Sequence, residues 1–487
     1  MAAFGILSLA GFTTGYLVWR FLTRLPAGIP NAVGRLPVVG AAQELGEDPI
    51  GFLTKHRRKL GDVFSVDVIF FRIVFVLGNT SVSQFLKNKE KDFSFWDAVA
   101  KAQPLLGPSV RDVAWKEKIL TIIPAALRNN DRLVDFGSVI AQITSEHYLE
   151  WSKQPSVPLL ESVIDMQVSC FIAAFFGIDF LKEQGEELKK NMLMYDILSS
   201  NPALRLLPYR LCSSGRRCIK TFKNMDDIIS NEIQKRLTNS EKHAGKTDYL
   251  QQVLTMVNGK HLEHIPAHMF AMALAGKANT VGTFIWTFLH IKCRPELLEP
   301  YLEELSSVRP DSNGLYPFDE MPFGHACMRE TNRMYTNLMS MARICKKSIA
   351  IQDTMGNKLE LPAGTMTIAS PLVTSRDEEI FPDPHHYDPF RFLDTKSIDV
   401  LYRDFKINTF GAGPHKCLGE KLAQIVLRGI GWPVLFANYN VDIVSGLQEG
   451  KGTDGVGVES QWMKYNNGTP VYDDLKYNVQ ITVTRKK

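Results

Sequence analysis

The distribution of apolar and polar residues changes character along this chain. Met1 to Trp19 carries no formal charge and is rich in Leu, Ala, Phe, Ile and Val, with Arg20 and Arg24 directly behind it. That length just suffices for one membrane-spanning helix, and the trailing arginines predict that the C-terminal side faces the cytoplasm. A cleaved signal peptide competes with this reading, but no basic stretch precedes the apolar run and no small-x-small cleavage site ends it. The anchor is therefore set at residues 1–24. Pro26-Ala27-Gly28-Ile29-Pro30 and then Gly34-Arg35-Leu36-Pro37-Val38-Val39-Gly40 follow. Proline fixes φ and glycine relaxes it, so residues 25–45 are predicted to form a stiff, non-helical hinge in front of a body spanning 46–487.

Within the body the period changes. Phe64–Phe70 and Arg72–Leu77 are rich in Val, Ile and Phe and predict two tightly joined strands, with a helix opening near Asn79-Thr80-Ser81. From about residue 80 to 345 the spacing is mostly helical, broken near 104–110, 153–158, 201–216, 240–246 and 309–317. The apolar run Met269 to Leu289 predicts a long buried helix. No internal repeat occurs, and no linker after residue 45 is long enough to divide the body into independent domains. His261, His264 and His268 lie at i, i+3, i+7 on a predicted helix; the spacing suits a metal, but a solvated helical face is favoured because no further ligand can be named.

Composition narrows the class. The chain has 487 residues, 45% hydrophobic and 22% charged, enough for a large globular core. A net charge of +4 is too small to argue for nucleic acid. The 7 cysteines are scattered, odd in number and contain no C-x-x-C pair, which argues against a disulfide framework or a zinc site and fits a reducing compartment.

The candidate chemistry centres on Phe410-Gly411-Ala412-Gly413-Pro414-His415-Lys416-Cys417-Leu418-Gly419. Glycines and a proline before Cys417 let the backbone turn tightly and approach a flat ligand. Glu420-Lys421-Leu422-Ala423 then opens a helical pattern, so Cys417 precedes a helix N-terminus and has cationic Lys416 beside it. Both features favour a thiolate, and such a thiolate can be the axial ligand of a haem iron. The competing reading is a buried, inert cysteine. Upstream, Glu330-Thr331-Asn332-Arg333 places opposite charges one helical turn apart, where they can pair. Tyr387-Asp388-Pro389-Phe390-Arg391-Phe392 lies between that pair and Cys417. Gly429, Gly431 and Pro433 predict that the helix after Cys417 ends or kinks early.

The F-x-x-G-x-x-x-C-x-G loop resembles the haem-binding loop of the cytochrome P-450 family, the haem-thiolate monooxygenases. E-x-x-R, the later arginine segment and Phe381-Pro382-Asp383-Pro384 resemble further parts of the same pattern. The resemblance runs from the hinge to the C-terminus and is nearest the branch of sterol 14α-demethylases, cholesterol 7α-hydroxylases and prostacyclin synthases. It implies a mainly α fold with a smaller β region, and haem b held with Cys417 as axial ligand and Phe410, Gly413 and Gly419 in its loop. It further implies that Glu330, Arg333 and Arg391 form a buried ionic network behind the haem, and that Arg343 and His415 contact haem propionates. The usual arginine of the early propionate helix is absent from Trp115-Lys116-Glu117-Lys118, so Lys116 or Lys118 would substitute. Thr336-Asn337 stand where most relatives have Pro-Pro.

The helix on the oxygen side departs most from the family. Ala275-Gly276-Lys277-Ala278-Asn279-Thr280 places Ala278 where most relatives carry an acid and Asn279 where they carry a proton-steering Thr; Thr280 comes one residue late. Gly276 is expected to let the helix open beside the haem, and Asn279 or Thr280 to deliver protons, Asn being able both to donate and to accept. The resemblance thus implies a monooxygenase of the endoplasmic reticulum membrane acting on a sterol-like or terpenoid lipid, fed by NADPH through a flavoprotein reductase docking near Lys406, Lys416 and Lys421. The alternative is an isomerase or dehydratase that uses the same haem on a peroxide or preoxidised lipid without external electrons. Phe93, Phe95, Trp96, Leu105 and Leu106 either cap an apolar pocket or belong to the core.

Overall fold

A computed structural model describes residues 28–32, 41–68, 71–199, 204, 209–335, 341–445, 463–466, 469–472 and 479–486. The predicted membrane anchor, most of the hinge and the Thr336-Asn337 pair lie outside the described residues. The chain divides into two compact units. The first takes the described residues of Met1–Ala102, Leu338–Pro382 and Asp399–Lys416; the second those of Gln103–Asn337, Asp383–Ile398 and Cys417–Lys487. The units are interleaved in sequence, which is why no linker separates them.

The first unit is built on a sheet whose strands run in the order Asn31–Ala32, Val63–Val68, Phe71–Val76, Met366–Ala369, Ala342–Cys345 and Phe93–Ser94. Val63–Val68 and Phe71–Val76 form the hairpin the Val/Ile/Phe pattern predicts, in antiparallel register with Asp67 opposite Arg72. Their side chains pair at 2.6 Å. Val63, Phe64, Val66, Val74, Phe75 and Val76 are all buried, so both faces of the hairpin are covered and its apolar run is nearly continuous. Helix Asn79–Lys87 packs Val82, Phe85 and Leu86 into the same core as Phe93. Phe93 is therefore a core residue.

The second unit is helical around Leu159–Phe176, which packs against Asn130–Trp151, Ile178–Ser199 and Ile265–Cys293. Among the described helices Leu159–Phe176 alone is long and apolar enough to cross a membrane, but 72% of it is buried inside the fold. A helix apolar all round is what a core position requires. Burial of each such Val, Leu, Ile or Phe contributes about 1.5–3 kcal/mol. Ile265–Cys293 carries Pro266 in its first turn, where the missing N–H costs nothing. Tyr439–Ser445, Gln480–Arg485 and Val157–Pro158 form a small sheet at the edge of this unit.

Two sequence expectations are refined here. The helix after Cys417 changes its winding early but does not end: Glu420–Gln424 passes into a π segment, Ile425–Gly431, and then into Trp432–Asn438. The wider turn absorbs the glycines and the proline, and the Tyr148 hydroxyl donates to the Gly431 carbonyl at 2.9 Å. A Cβ on Gly431 would lie 2.9 Å from the Phe284 ring, so helix contact and not helix breaking explains that glycine. Second, the three histidines do not share a solvated face. His268 is buried and hydrogen-bonded to the Tyr249 hydroxyl at 2.8 Å, while His261, at φ 57°, precedes the helical segment entirely.

Candidate active site

In the second unit, Ile265–Cys293 is buried along most of its length but not along one stripe. Ala275 and Asn279, one turn apart, are exposed, with Ala271 and Met272 half-exposed on the turn before. Gly276 and Thr280 lie about 100° round the helix and face Leu159–Phe176. A Cβ on Gly276 would sit 2.9 Å from the Phe171 ring, so the glycine allows close helix packing rather than an opening. Thr280 Oγ1 lies 2.5 Å from Gln167 Oε1 and 2.6 Å from the Gly276 carbonyl, which between them occupy its single proton. Lys277 pairs with Asp196. Of the residues expected to handle protons, Asn279 alone is presented on the uncovered stripe.

Glu330 and Arg333 lie on Pro322–Met334 and are both fully buried. The guanidinium grips the carboxylate with two bonds of 2.7 Å. Arg391 adds its Nε 3.3 Å from Glu330 Oε1, the Asp388 amide donates to the same oxygen at 2.9 Å, and Arg333 also donates to the Pro384 carbonyl at 2.8 Å. One helix turn and the Asp383–Phe392 segment are thereby locked together.

The cysteines separate by burial. Cys170, Cys218, Cys327 and Cys345 are buried. Burial pushes the Cys170 thiol up to about 12 and those of Cys218 and Cys345 up to about 11, so they are inert as nucleophiles or ligands. Cys417 is exposed and stands two residues before Gly419, the N-cap of the following helix. Gly419 needs no special space: a Cβ there would make ordinary contacts with Cys417 Sγ and Leu127. Lys116 and Lys118 are half-buried on Val113–Leu127.

In the first unit, Arg343 projects from strand Ala342–Cys345 with only 2% of its surface exposed. Its guanidinium lies 5.1 Å over the Phe85 ring, and its Nε and Nη1 have no hydrogen-bond acceptor. Burial lowers its pKa to about 10. A desolvated cation in this state calls for an anion. His415 Nε2 lies 3.0 Å from Glu90 Oε2, and its ring is 5.4 Å from Phe95. Burial alone would raise the Glu90 carboxyl, but His415, the Ser94 hydroxyl and the Phe95 amide together hold it below the usual carboxylate value. His415 Nε2 is buried beside this carboxylate without meeting hydrogen-bond geometry. Gly411 and Gly413 have φ of 69° and 65°, and a Cβ on Gly413 would overlap the Leu86 carbonyl oxygen, so the loop hugs the end of Asn79–Lys87. Phe410 is half-exposed.

Sequence reasoning missed three partners. Gln167 and Glu90 come from distant or unrelated segments and carry no motif. Asn408 is buried with neither side-chain atom hydrogen-bonded, and its carbonyl accepts from the Gly411 amide at 2.7 Å; its nearness to the cysteine loop was the available signal.

The model of one family, described as Cytochrome P450, matches residues 30–448. The chain belongs to the cytochrome P450 family. As a cytochrome P450 it is a haem-dependent monooxygenase whose electrons come from NADPH through a reductase. Similar proteins include the sterol 14-demethylase of Arabidopsis thaliana, 24% identical over 473 residues that span 91% of this chain and 93% of that protein. The lanosterol 14-alpha demethylase of Cunninghamella elegans is 27% identical over 444 residues, 82% of this chain and 83% of that one. Among solved structures, retinoic-acid-bound cyanobacterial CYP120A1 superposes with a TM-score of 0.77 at 16% identity, covering 95% of this chain and 100% of that one, which shows the fold. Each unit by itself offers residues that fit a haem: in the first, the buried Arg343 guanidinium, with Nε and Nη1 lacking acceptors, would suit a propionate carboxylate; in the second, the exposed Cys417 would suit the iron as a soft ligand.

Proposed function

We propose that this cytochrome P450 oxidises a sterol-like or terpenoid lipid from the membrane of the endoplasmic reticulum, held there by residues 1–24, with a flavoprotein reductase as its redox partner. The similarity to sterol 14-demethylases over most of the chain supports the substrate class. When bound, haem b supplies the redox chemistry that activates dioxygen. Cys417 holds the iron through its thiolate, with Phe410, Gly413 and Gly419 shaping the loop around it. Arg343 and His415 would contact the propionates, and Lys116 or Lys118 adds cationic charge. Glu330, Arg333 and Arg391 keep the segment before the cysteine loop rigid.

That similarity is the observation that carries the reading, while Asn279 is the residue proposed to handle protons and the one that motivates the isomerase or dehydratase alternative. The Asn279 amide can accept a hydrogen bond from one water at Oδ1 and donate one to another from Nδ2, ordering a water chain that carries the protons, and it stands on the uncovered stripe beside Ala275. Thr280 contributes by bracing the helix against Gln167, and Gly276 by letting that contact form.

Difference spectra against sterols, lanosterol and obtusifoliol among them, and against terpenoids test the substrate class; a saturable Soret shift with a sterol is expected. Turnover is then measured with and without reductase and NADPH. Product that requires both supports oxygen insertion. Product formed from a lipid hydroperoxide without electrons would replace this reading with an isomerase or dehydratase.

A further inference from the structure

Away from the residues assigned above, Asp112, His261 and His264 bring three donor atoms within 4.8 Å of one another. We propose that they bind one divalent transition ion of the zinc class. The ion would tie the start of Val113–Leu127 to the turn that leads into Ile265–Cys293. Two imidazole nitrogens and a carboxylate oxygen are a donor set that Zn2+ accepts in tetrahedral geometry, with bonds of roughly 2.0–2.2 Å and donors therefore roughly 3.3 Å apart. All three residues are half-buried, so the side chains have room to close that gap.

The surroundings aim these donors. Asp112 caps its helix with one oxygen only: Oδ1 accepts from the Trp115 amide at 2.7 Å, while Oδ2 faces His264 Nε2 at 3.9 Å. His264 Nδ1 lies 3.3 Å from Ser109 Oγ. With Nδ1–H donating to that hydroxyl, the lone pair is on Nε2, the nitrogen turned toward Asp112; metal-bound histidines are oriented in this way by the partner of their other nitrogen. The His261 and His264 rings stack 6.3 Å apart, and each lies against the buried Trp115 indole, at 5.9 and 5.7 Å. Trp115 is thus a rigid floor under both. His261 reaches this position through a left-handed backbone, φ 57°. Glu263 Oε1 is 3.6 Å from His264 Nε2 and its side chain is 70% exposed, so a fourth ligand is available from a mobile carboxylate or water. A simple His–Asp ion pair would need one imidazole; here two converge on one carboxylate.

The test uses the haem-loaded, full-length chain, freed of adventitious metal with chelator and titrated with ZnCl2 by calorimetry. One Zn2+ per chain with a low-micromolar Kd is expected, together with a rise in Tm. His261→Ala and His264→Ala should each weaken binding at least tenfold. Asp112→Asn, which keeps a helix-capping side chain, should weaken it comparably. His147→Ala, elsewhere in the same unit, should leave it unchanged. Absorption-edge spectroscopy of the zinc complex should show nitrogen and oxygen scatterers at about 2.0 Å and no sulfur. Absence of stoichiometric binding, binding unaltered in both histidine variants, or sulfur in the coordination shell would overturn the proposal.

Discussion

Thr280 Oγ1 lies 2.5 Å from Gln167 Oε1, across the contact between the helices Ile265–Cys293 and Leu159–Phe176. That bond decides which of two neighbouring polar residues has a side chain at liberty. Asn279→Ala is expected to lower turnover by roughly 10- to 100-fold, as loss of a proton-handling group does, and to divert more NADPH into hydrogen peroxide. Thr280→Val should instead destabilise the chain by about 1–3 kcal/mol, because it strands a buried acceptor, and should leave the ratio of product to NADPH near that of the parent. Paired measurement of product, peroxide and NADPH distinguishes the two; the opposite pattern would transfer the role to Thr280.

Arg343 makes a prediction of opposite sign for the chain with and without its cofactor. A buried guanidinium with two nitrogens lacking acceptors is a cost to the fold alone. Arg343→Met should therefore leave the haem-free chain at least as stable in urea while reducing the haem retained per chain. If both stability and haem content fall together, the guanidinium has a protein partner and not a propionate.

Cys417→Ser tests the ligand directly. The reduced, carbon monoxide-bound protein should show a Soret band shifted far to the red, and the variant should lose it along with turnover. The buried cysteines provide the control, since Cys345→Ser alters neither the band position nor the ligand.

Glu330 and Arg333 are both fully buried, so Arg333→Ala takes the two-bond cation from an interior carboxylate and leaves it only Arg391 Nε at 3.3 Å and the Asp388 amide. A loss of about 3–5 kcal/mol is expected, read as a fall in folded, haem-containing protein. Arg391, whose side chain is 14% exposed and whose nitrogen is 3.3 Å away, should cost less when replaced by Ala.

His268 gives the chain a pH dependence. Burial pushes its imidazole down to about 4 from 6.5, so between those values the unfolded chain binds the proton and the native chain does not. Stability is then complete above about pH 6.5 and is lost as pH falls toward 4, by up to about 3 kcal/mol for this residue. His325, lowered to about 2, and His290 act in the same direction, again through burial. Denaturation midpoints at pH 7 and pH 5 should differ less for His268→Gln than for the parent; an unchanged difference would show that His268 is not the titrating group.

Local spacing and local chemistry were enough to read some of this protein. The 3.6-residue period places Glu330 and Arg333 on one helical face, alternation of Val, Ile and Phe marks the first hairpin, and Gly413 before Cys417 signals a backbone that must reach φ 65°. Each depends only on residues within a turn or two, so the chain encodes it without reference to distant parts. Direction is another matter. Asn279 and Thr280 are adjacent and similar in chemistry, and only the arrival of Gln167 from a separate helix makes one an internal brace and leaves the other exposed. The same holds for Glu90 beside His415, for Arg343 Nε and Nη1 left without acceptors, and for Asp112 beside His261 and His264. A side chain's partner across a packed interface is set by how whole elements meet, and by which polar groups that packing leaves without water; no window of sequence contains that information.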